Sequence, residues 1–224
     1  MNKYPVRCFR ERALPILRGV KNAFFLFYKR DWQGFITRLR IAVGQVDLRL
    51  SSLEDVGLPE ERAHYYADSG GIALEKILRQ LGISSGDAIV DFGCGKGGAL
   101  ISFARYPFAK ITGVELSPEL SAIARENLKK LGIDKVAVEC CDASDFKELH
   151  DFNYFYFFDP FPCPVLKEVL GNIEDSIDQH PRKVTLIYLN PHCHAEVESS
   201  SVFCKVKELK HFEHQCYVYE NALD

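Results

Sequence analysis

The sequence lacks three features, each of which would have indicated a class of protein. None of its eight cysteines belongs to a Cys-x-x-Cys pair, so we expect a reducing, cytoplasmic environment rather than a disulfide framework. The longest apolar run near the N-terminus, residues 23–28, is far shorter than the roughly 18 residues that a membrane span needs. The formal net charge of −3 gives no general case for nucleic acid as a partner.

Charge is nevertheless distributed unevenly along the chain. Residues 1–50 carry 11 Lys and Arg against 3 Asp and Glu, and their apolar residues between positions 17 and 28 follow helical spacing. Three interpretations stay open: an extension that covers a sheet edge, a cap that presents positive charge to an acidic substrate, or an amphipathic helix in peripheral contact with a membrane. We predict a basic, helical N-terminal extension over residues 1–60.

Residues 61–224 are predicted to form one domain in which helices and strands alternate, the pattern of a parallel sheet covered on both faces. The tail has two β-rich stretches with no helix pattern between them, which indicates a closing antiparallel hairpin. The predicted strands are Ala88–Asp91, Ala109–Glu115, Val136–Asp142, Tyr154–Asp159, Lys183–Leu189, Val202–Leu209 and Gln215–Glu220. The predicted helices include Gly98–Tyr106, one that Ser117 and Pro118 open and Gly132 ends, and Val165–Ile177.

Acidic side chains end or nearly end the first three strands. Asp91 precedes a glycine loop of sequence Phe-Gly-Cys-Gly-Lys-Gly, Glu115 closes the second strand and Asp142 closes the third. The carboxyl ends of parallel strands meet at one edge of the sheet, so these groups should face one crevice. Together they indicate a pocket for a nucleoside cofactor.

The order of elements and the acid-x-Gly-x-Gly-x-Gly loop resemble the class I, seven-stranded S-adenosylmethionine-dependent methyltransferases, over roughly residues 65–220. The resemblance implies a doubly wound, mostly parallel α/β sheet and S-adenosylmethionine as cofactor. It implies that Glu115 accepts from the ribose hydroxyls, and that Asp142 accepts from the adenine amino group. The implied cofactor-binding residues are Tyr66, Asp91, Gly93, Gly95, Gly97, Glu115, Leu116, Asp142 and Ala143.

Two alternatives remain at this stage. The glycines at 93, 95 and 98 also fit the fingerprint of a dinucleotide-binding enzyme. An acid at position 91 would repel a pyrophosphate, however, and Asp142 would have no role in such a site. The second alternative is a non-catalytic protein that keeps the fold for binding partners, and the intact loop and acids argue against it.

The fourth predicted strand is almost entirely aromatic and is followed by Asp159, Pro160 and Phe161. Such a strand suits a central position, and the proline must end it at the carboxyl edge. The three residues resemble the Asp/Asn-Pro-Pro-Tyr/Phe sequence of methyltransferases that act on nitrogen, although the second proline is missing. The resemblance implies that Asp159, Pro160 and Phe161 form the catalytic corner, and that the acceptor is a protein lysine or a small-molecule amine. The alternative is a tight turn after a core strand.

Tyrosines and histidines outside these motifs give weaker signals. Tyr66 is expected to close over the cofactor, although Tyr65 is equally available. The spacing of His192, Cys193 and His194 with the later Cys and His residues does not fit a paired metal site, so no metal is expected.

Overall fold

The computed structural model describes residues 32–211 and 214–222 of a chain that divides into two compact units, residues 1–48 and 49–224. The described part of the first unit contains helix α1, Trp32–Ala42. The predicted helix between residues 17 and 28, and most of the basic segment, lie outside the described residues. The predicted domain boundary at residue 60 falls inside the second unit and stays a prediction.

The second unit contains one seven-stranded sheet with the strand order β3-β2-β1-β4-β5-β7-β6. The first five strands are mutually parallel, and β7 and β6 are antiparallel to their neighbours. This confirms the predicted fold class and the closing hairpin. The strands are β1 Ala88–Phe92, β2 Lys110–Glu115, β3 Val136–Cys140, β4 Tyr154–Phe158, β5 Thr185–Leu189, β6 Phe203–His211 and β7 His214–Asn221.

The remaining helices are α2 Leu53–Val56, α3 Ile72–Leu78, α4 Gly98–Phe103, α5 Pro118–Leu131, α6 Cys163–Gln179 and α7 His194–Glu198. Helix α5 shows why the sequence signals worked: the Ser117 side chain accepts from the Leu120 amide, and Gly132 ends the helix at φ 68°. Helices α2 and α7 were not predicted, because four or five residues are too few for a periodic pattern. Among the described helices, none combines the length and apolar character that crossing a membrane requires.

Strand β4 lies between β1 and β5, which agrees with the central position that its aromatic composition predicted. Phe155 and Phe157 are almost fully buried, and the rings of Phe157 and Phe92 stack with their centroids 5.4 Å apart. Burying each such side chain contributes about 1.5–3 kcal/mol. The strand order reverses between β1 and β4, so a crevice opens at the carboxyl ends of these two strands.

Cys163 and Cys193 form a disulfide bond, with their Cα atoms 5.3 Å apart. This corrects the expectation that the chain has no disulfide. The two residues are separated by 30 positions, so local spacing gave no signal. They come together because they follow β4 and β5, which are neighbours in the sheet. The cysteine spacing therefore no longer supports the expected reducing environment, which stays a prediction.

Candidate active site

A cavity at the carboxyl edge of the sheet brings together ten of the twelve residues predicted for the site. Its walls are the segments that follow the five parallel strands, together with residues 49–69, here called the strap. Asp91 and Gly97 are not among the lining residues. The predicted residues that line the cavity are Tyr66, Gly93, Gly95, Glu115, Leu116, Asp142, Ala143, Asp159, Pro160 and Phe161.

The glycine loop needs its glycines for conformation and for close approach. Gly93, Gly95 and Gly97 all have positive φ, at 76°, 52° and 85°. A Cβ atom on Gly93 would lie 2.3 Å from Cβ of Pro160, and one on Gly95 would lie 2.1 Å from the Tyr66 ring. The space that side chains would occupy at these two positions is therefore taken by the catalytic corner and by the strap.

Glu115 connects the loop to the end of β2. Its Oε2 accepts from the Gly95 amide and its Oε1 accepts from the Ser117 amide, both at 2.8 Å. Burial raises the pKa of Glu115, and these backbone donors act in the opposite direction. A carboxylate oxygen has two lone pairs, so each can still accept from a ribose hydroxyl. The residue fits its predicted role and also holds the loop in place.

Asp91 lies beneath the loop and is only 2 % exposed. Burial and the nearby Glu115 raise its pKa well above the usual range. Among the described residues, none donates a hydrogen bond to its Oδ2. The depth of Asp91, and its absence from the cavity lining, do not support direct contact with a ligand, so its place among the cofactor-binding residues stays a prediction.

Asp142 is held by an arginine that the sequence patterns did not reveal. Arg62 Nε lies 2.9 Å from Oδ2 and Arg62 Nη2 lies 2.6 Å from Oδ1, a two-point contact, and the Ser144 amide also donates to Oδ1 at 2.9 Å. Partial burial alone would raise the pKa of Asp142, but the hydrogen bonds from Arg62 and Ser144 outweigh it and lower the pKa. No local motif could have identified Arg62, because it lies 80 residues from its partner.

Asp159 lies between two histidines at the end of β4. His192 Nδ1 is 2.5 Å from Asp159 Oδ2, and His64 Nδ1 is 2.9 Å from the Asp159 carbonyl oxygen and 3.5 Å from Oδ2. Burial alone would raise the pKa of Asp159, but the hydrogen bonds with His64 and His192 lower it. The hydrogen bond with Asp159 raises the pKa of His64.

Carbonyl and carboxylate oxygens of this kind accept hydrogen bonds, so Nδ1 of each histidine must be the donor. Nε2 is then the ring nitrogen that can take up a proton. Asp159 thus fixes the tautomer of both rings, as the aspartate does in serine-protease triads. The corner therefore carries a carboxylate and two proton acceptors rather than a carboxylate alone.

Backbone conformation also distinguishes this corner. Asp159 has φ 44° and Asn190, at the end of the neighbouring β5, has φ 49°, whereas the other described residues with positive φ are glycines. Both residues line the cavity. Strained backbone of this kind costs about 1–3 kcal/mol and clusters at functional sites, which supports the location of the catalytic corner.

The strap reaches across the whole cavity. Ser51 pairs with Tyr66 in an isolated antiparallel bridge, and the His64 amide donates to the Pro160 carbonyl at 2.9 Å. Tyr66 is buried against Gly95, whereas the neighbouring Tyr65 is 63 % exposed. Of the two tyrosines, Tyr66 is therefore the one that covers the glycine loop.

The histidines at positions 192, 194 and 214 have separate partners. His192 faces Asp159, His194 lies 3.3 Å from Glu198, and His214 lies 3.3 Å from Asn190. Within the described part of the chain, no group of three or more Cys, His, Asp or Glu side chains is arranged to hold a metal ion.

Residues 89–180, which contain the glycine loop, all three acids and the catalytic corner, match the model of a methyltransferase domain family. This part of the chain is therefore similar to methyltransferase domains. Over 75 residues the chain is 35% identical to a Pseudomonas putida protein described as "Probable fatty acid methyltransferase". That match covers 33% of this chain and 19% of the relative, so the chain spans about a fifth of the relative's length.

Solved structures share the fold at low sequence identity. One is a mutant of MtNAS in complex with S-adenosylmethionine, with 19% identity, a TM-score of 0.52 and coverage of 66% of this chain and 60% of that one. Another is a SAM-dependent methyltransferase from Aquifex aeolicus, with 15% identity, a TM-score of 0.52 and coverage of 67% and 89%.

The family match confirms the resemblance inferred from the sequence and decides against the dinucleotide alternative. The match to a methyltransferase domain, and the S-adenosylmethionine bound to the MtNAS mutant that shares the fold, agree with the predicted cofactor. The cavity suits it, because Glu115 and Asp142 both line the cavity and retain acceptor capacity. The roles of the individual site residues stay predictions.

Proposed function

We propose that this methyltransferase acts on a nitrogen atom, the amine of a protein lysine or of a small molecule. The observation that carries the proposal is the pairing of Asp159 with His64 and His192 at the wall of the cavity. An acceptor amine needs a negative group to attract its protonated form and a base to remove its proton. This corner offers both.

The opposite end of the cavity would hold the cofactor. Glu115 and Asp142 are the acceptors for its ribose and adenine, and Gly93 and Gly95 line the cavity beside them. When bound, S-adenosylmethionine supplies a methyl group on a positively charged sulfur, and it is the sulfur that keeps the electrons of the bond to the methyl carbon. Positioning accounts for much of the acceleration in such an in-line displacement.

Asp159 selects the acceptor by charge. Its lowered pKa keeps it ionised near neutral pH, so it attracts an ammonium group and repels a carboxylate. The amine must lose one proton before its lone pair can form the new bond to carbon. The Nε2 atoms of His64 and His192 are the groups that accept this proton, and the hydrogen bond with Asp159, which raises the pKa of His64, makes that ring a stronger base.

The cavity leaves room for either acceptor class at its mouth. Tyr65, whose ring is exposed, lines the same cavity as Asp159, and so do Phe158 and Phe161. Apolar walls around one carboxylate suit the methylene chain and the amine of a lysine, as well as those of a small alkyl amine.

The experiment is a transfer assay with S-adenosylmethionine that carries a labelled methyl group. The purified protein is incubated with size-fractionated lysate, and labelled products are treated with base. We expect label that resists base, as N-methyl groups do, in a defined protein or small-molecule fraction. Label released by base would identify a methyl ester and contradict the nitrogen acceptor. Binding of S-adenosylhomocysteine without any transfer would favour the non-catalytic alternative.

A further inference from the structure

Arg62 and Asp142 make a two-point ion pair in the wall of the cavity, just after strand β3. Two nitrogens of the guanidinium face the two carboxylate oxygens at 2.9 and 2.6 Å. Both residues line the cavity, and their side chains are 30% and 19% exposed. A pair in this position is open to a ligand and not merely part of the core.

The two oxygens of Asp142 differ in how many donors they have. Oδ1 accepts from Arg62 Nη2, from the Ser144 amide and from the Ser144 hydroxyl, all within 2.9 Å. Within residues 32–211 and 214–222, Oδ2 accepts from Arg62 Nε alone. Because a carboxylate oxygen can accept two hydrogen bonds, Oδ2 retains one position for a further donor.

The planar fork of an arginine restricts how a carboxylate can rotate. With Arg62 on one side and Ser144 on the other, the plane of the Asp142 carboxylate is fixed before any ligand arrives. The free position on Oδ2 is then preorganised, and less ordering cost falls on the binding step.

We infer that Arg62 is a positioning residue of the cofactor site, which holds Asp142 so that the free position on Oδ2 receives the adenine amino group. The inference rests on the proposed function, because it requires S-adenosylmethionine in this cavity. The opposite possibility is that Arg62 competes with the ligand for Asp142, and then its removal would tighten binding.

The test is calorimetric titration with S-adenosylhomocysteine of the wild type, Arg62→Met, Asp142→Asn and the double variant. We expect Arg62→Met to weaken binding by about tenfold or more. In the Asp142→Asn background the same change should cost less than about twofold, because a residue that acts through another has no effect once that residue is lost. Glu168→Gln is the matched control: its carboxylate lies 3.3 Å from Arg62 Nη1 but does not line the cavity, so we expect unchanged affinity.

A second ligand separates positioning from a general loss of structure. In the analogue of S-adenosylhomocysteine that has oxygen in place of the adenine amino group, Oδ2 has no amino donor to accept from. Arg62→Met should therefore weaken binding of this analogue less than binding of the parent ligand. Three results would overturn the inference: equal losses for both ligands, additive effects in the double variant, or binding by Arg62→Met that is unchanged or tighter. In each of these cases, binding by the wild type would still support the proposed function. No binding by the wild type would overturn both.

Discussion

The ring of Tyr66 lies against the backbone of Gly95, so closely that a Cβ atom on Gly95 would be 2.1 Å from Cδ2 of the ring. The strap and the glycine loop therefore meet with no side chain between them. Gly95 also has φ 52°, a conformation that other residues rarely adopt. One glycine thus serves both the turn after β1 and the closure of the strap.

Gly95→Ala should destabilise the protein and weaken binding of S-adenosylhomocysteine, because the added methyl group displaces Tyr66. The matched control is Gly132→Ala, which has φ 68° and no heavy atom within 4 Å of the new Cβ. Both changes carry the backbone cost of about 1–2 kcal/mol for a left-handed residue, but only the first creates a clash. Thermal unfolding with and without ligand measures the difference. Equal effects of the two alanines would show that the Tyr66 contact is unimportant.

Glu115→Ala should weaken cofactor binding by about 1–3 kcal/mol, since the ribose hydroxyls lose a charged acceptor. It should also lower the melting temperature without ligand, because the amides of Gly95 and Ser117 lose their acceptor. Calorimetry and thermal unfolding give the two quantities. The control is Glu126→Ala, a glutamate with 61% of its side chain exposed, which should change neither. Unchanged affinity for Glu115→Ala would refute the ribose assignment.

Asp159→Asn should leave cofactor affinity nearly intact and cut turnover by a factor of about 10² or more. Asparagine tolerates the positive φ of this position, so the change removes the charge with little effect on the backbone. Asp159→Ala would combine the loss of charge with an effect on the backbone, because alanine rarely adopts a positive φ. Because Asp159 pairs with His64 and His192, we expect the charge to matter and Asn to resemble Ala. Turnover of Asp159→Asn near the parent rate would show that Asp159 acts as a hydrogen-bond orienter and not through its charge, and parental turnover of both Asp159→Asn and Asp159→Ala would reduce it to a turn residue.

The pair of His64 and Asp159 should give stability a defined pH dependence. The pKa of His64 is raised in the folded state, so its contribution is full below the unfolded value of about 6.5 and is lost as pH rises through the folded pKa. The pKa of Asp159 is lowered, so its contribution is full above about 3.9 and is lost as pH falls through the folded pKa. The pair is strongest between these limits.

The measurement is the melting temperature of wild type and His64→Gln from pH 4 to pH 9. We expect the difference between them to be largest near pH 5 to 6 and to shrink as the pH rises above the folded pKa of His64. Transfer activity should show the opposite trend and increase over that rise, because only neutral His64 accepts a proton. A melting-temperature difference that does not vary with pH would contradict the ion pair.

Much of the fold followed from local patterns in the sequence. The apolar strands, the glycine loop and the positions of Asp91, Glu115 and Asp142 could be identified because each signal lies within a few residues of chain. Parallel topology then places successive strand ends at one edge, which brought Glu115 and Asp142 to one cavity without any tertiary information. The aromatic composition of β4 likewise predicted a central position in the sheet, and the structure places the strand between β1 and β5.

Contacts between distant loops could not be predicted in this way. The strap has no periodic pattern, and its side chains find their partners only when it lies across the finished sheet. Arg62 reaches Asp142 across 80 residues and His64 reaches Asp159 across 95. The same holds for the disulfide of Cys163 and Cys193, which depends on the pairing of β4 with β5. The sequence by itself determined which edge of the sheet carries the chemistry. The tertiary structure decided which histidines and which arginine face the acids at that edge, because these neighbours are selected by packing and not by spacing along the chain.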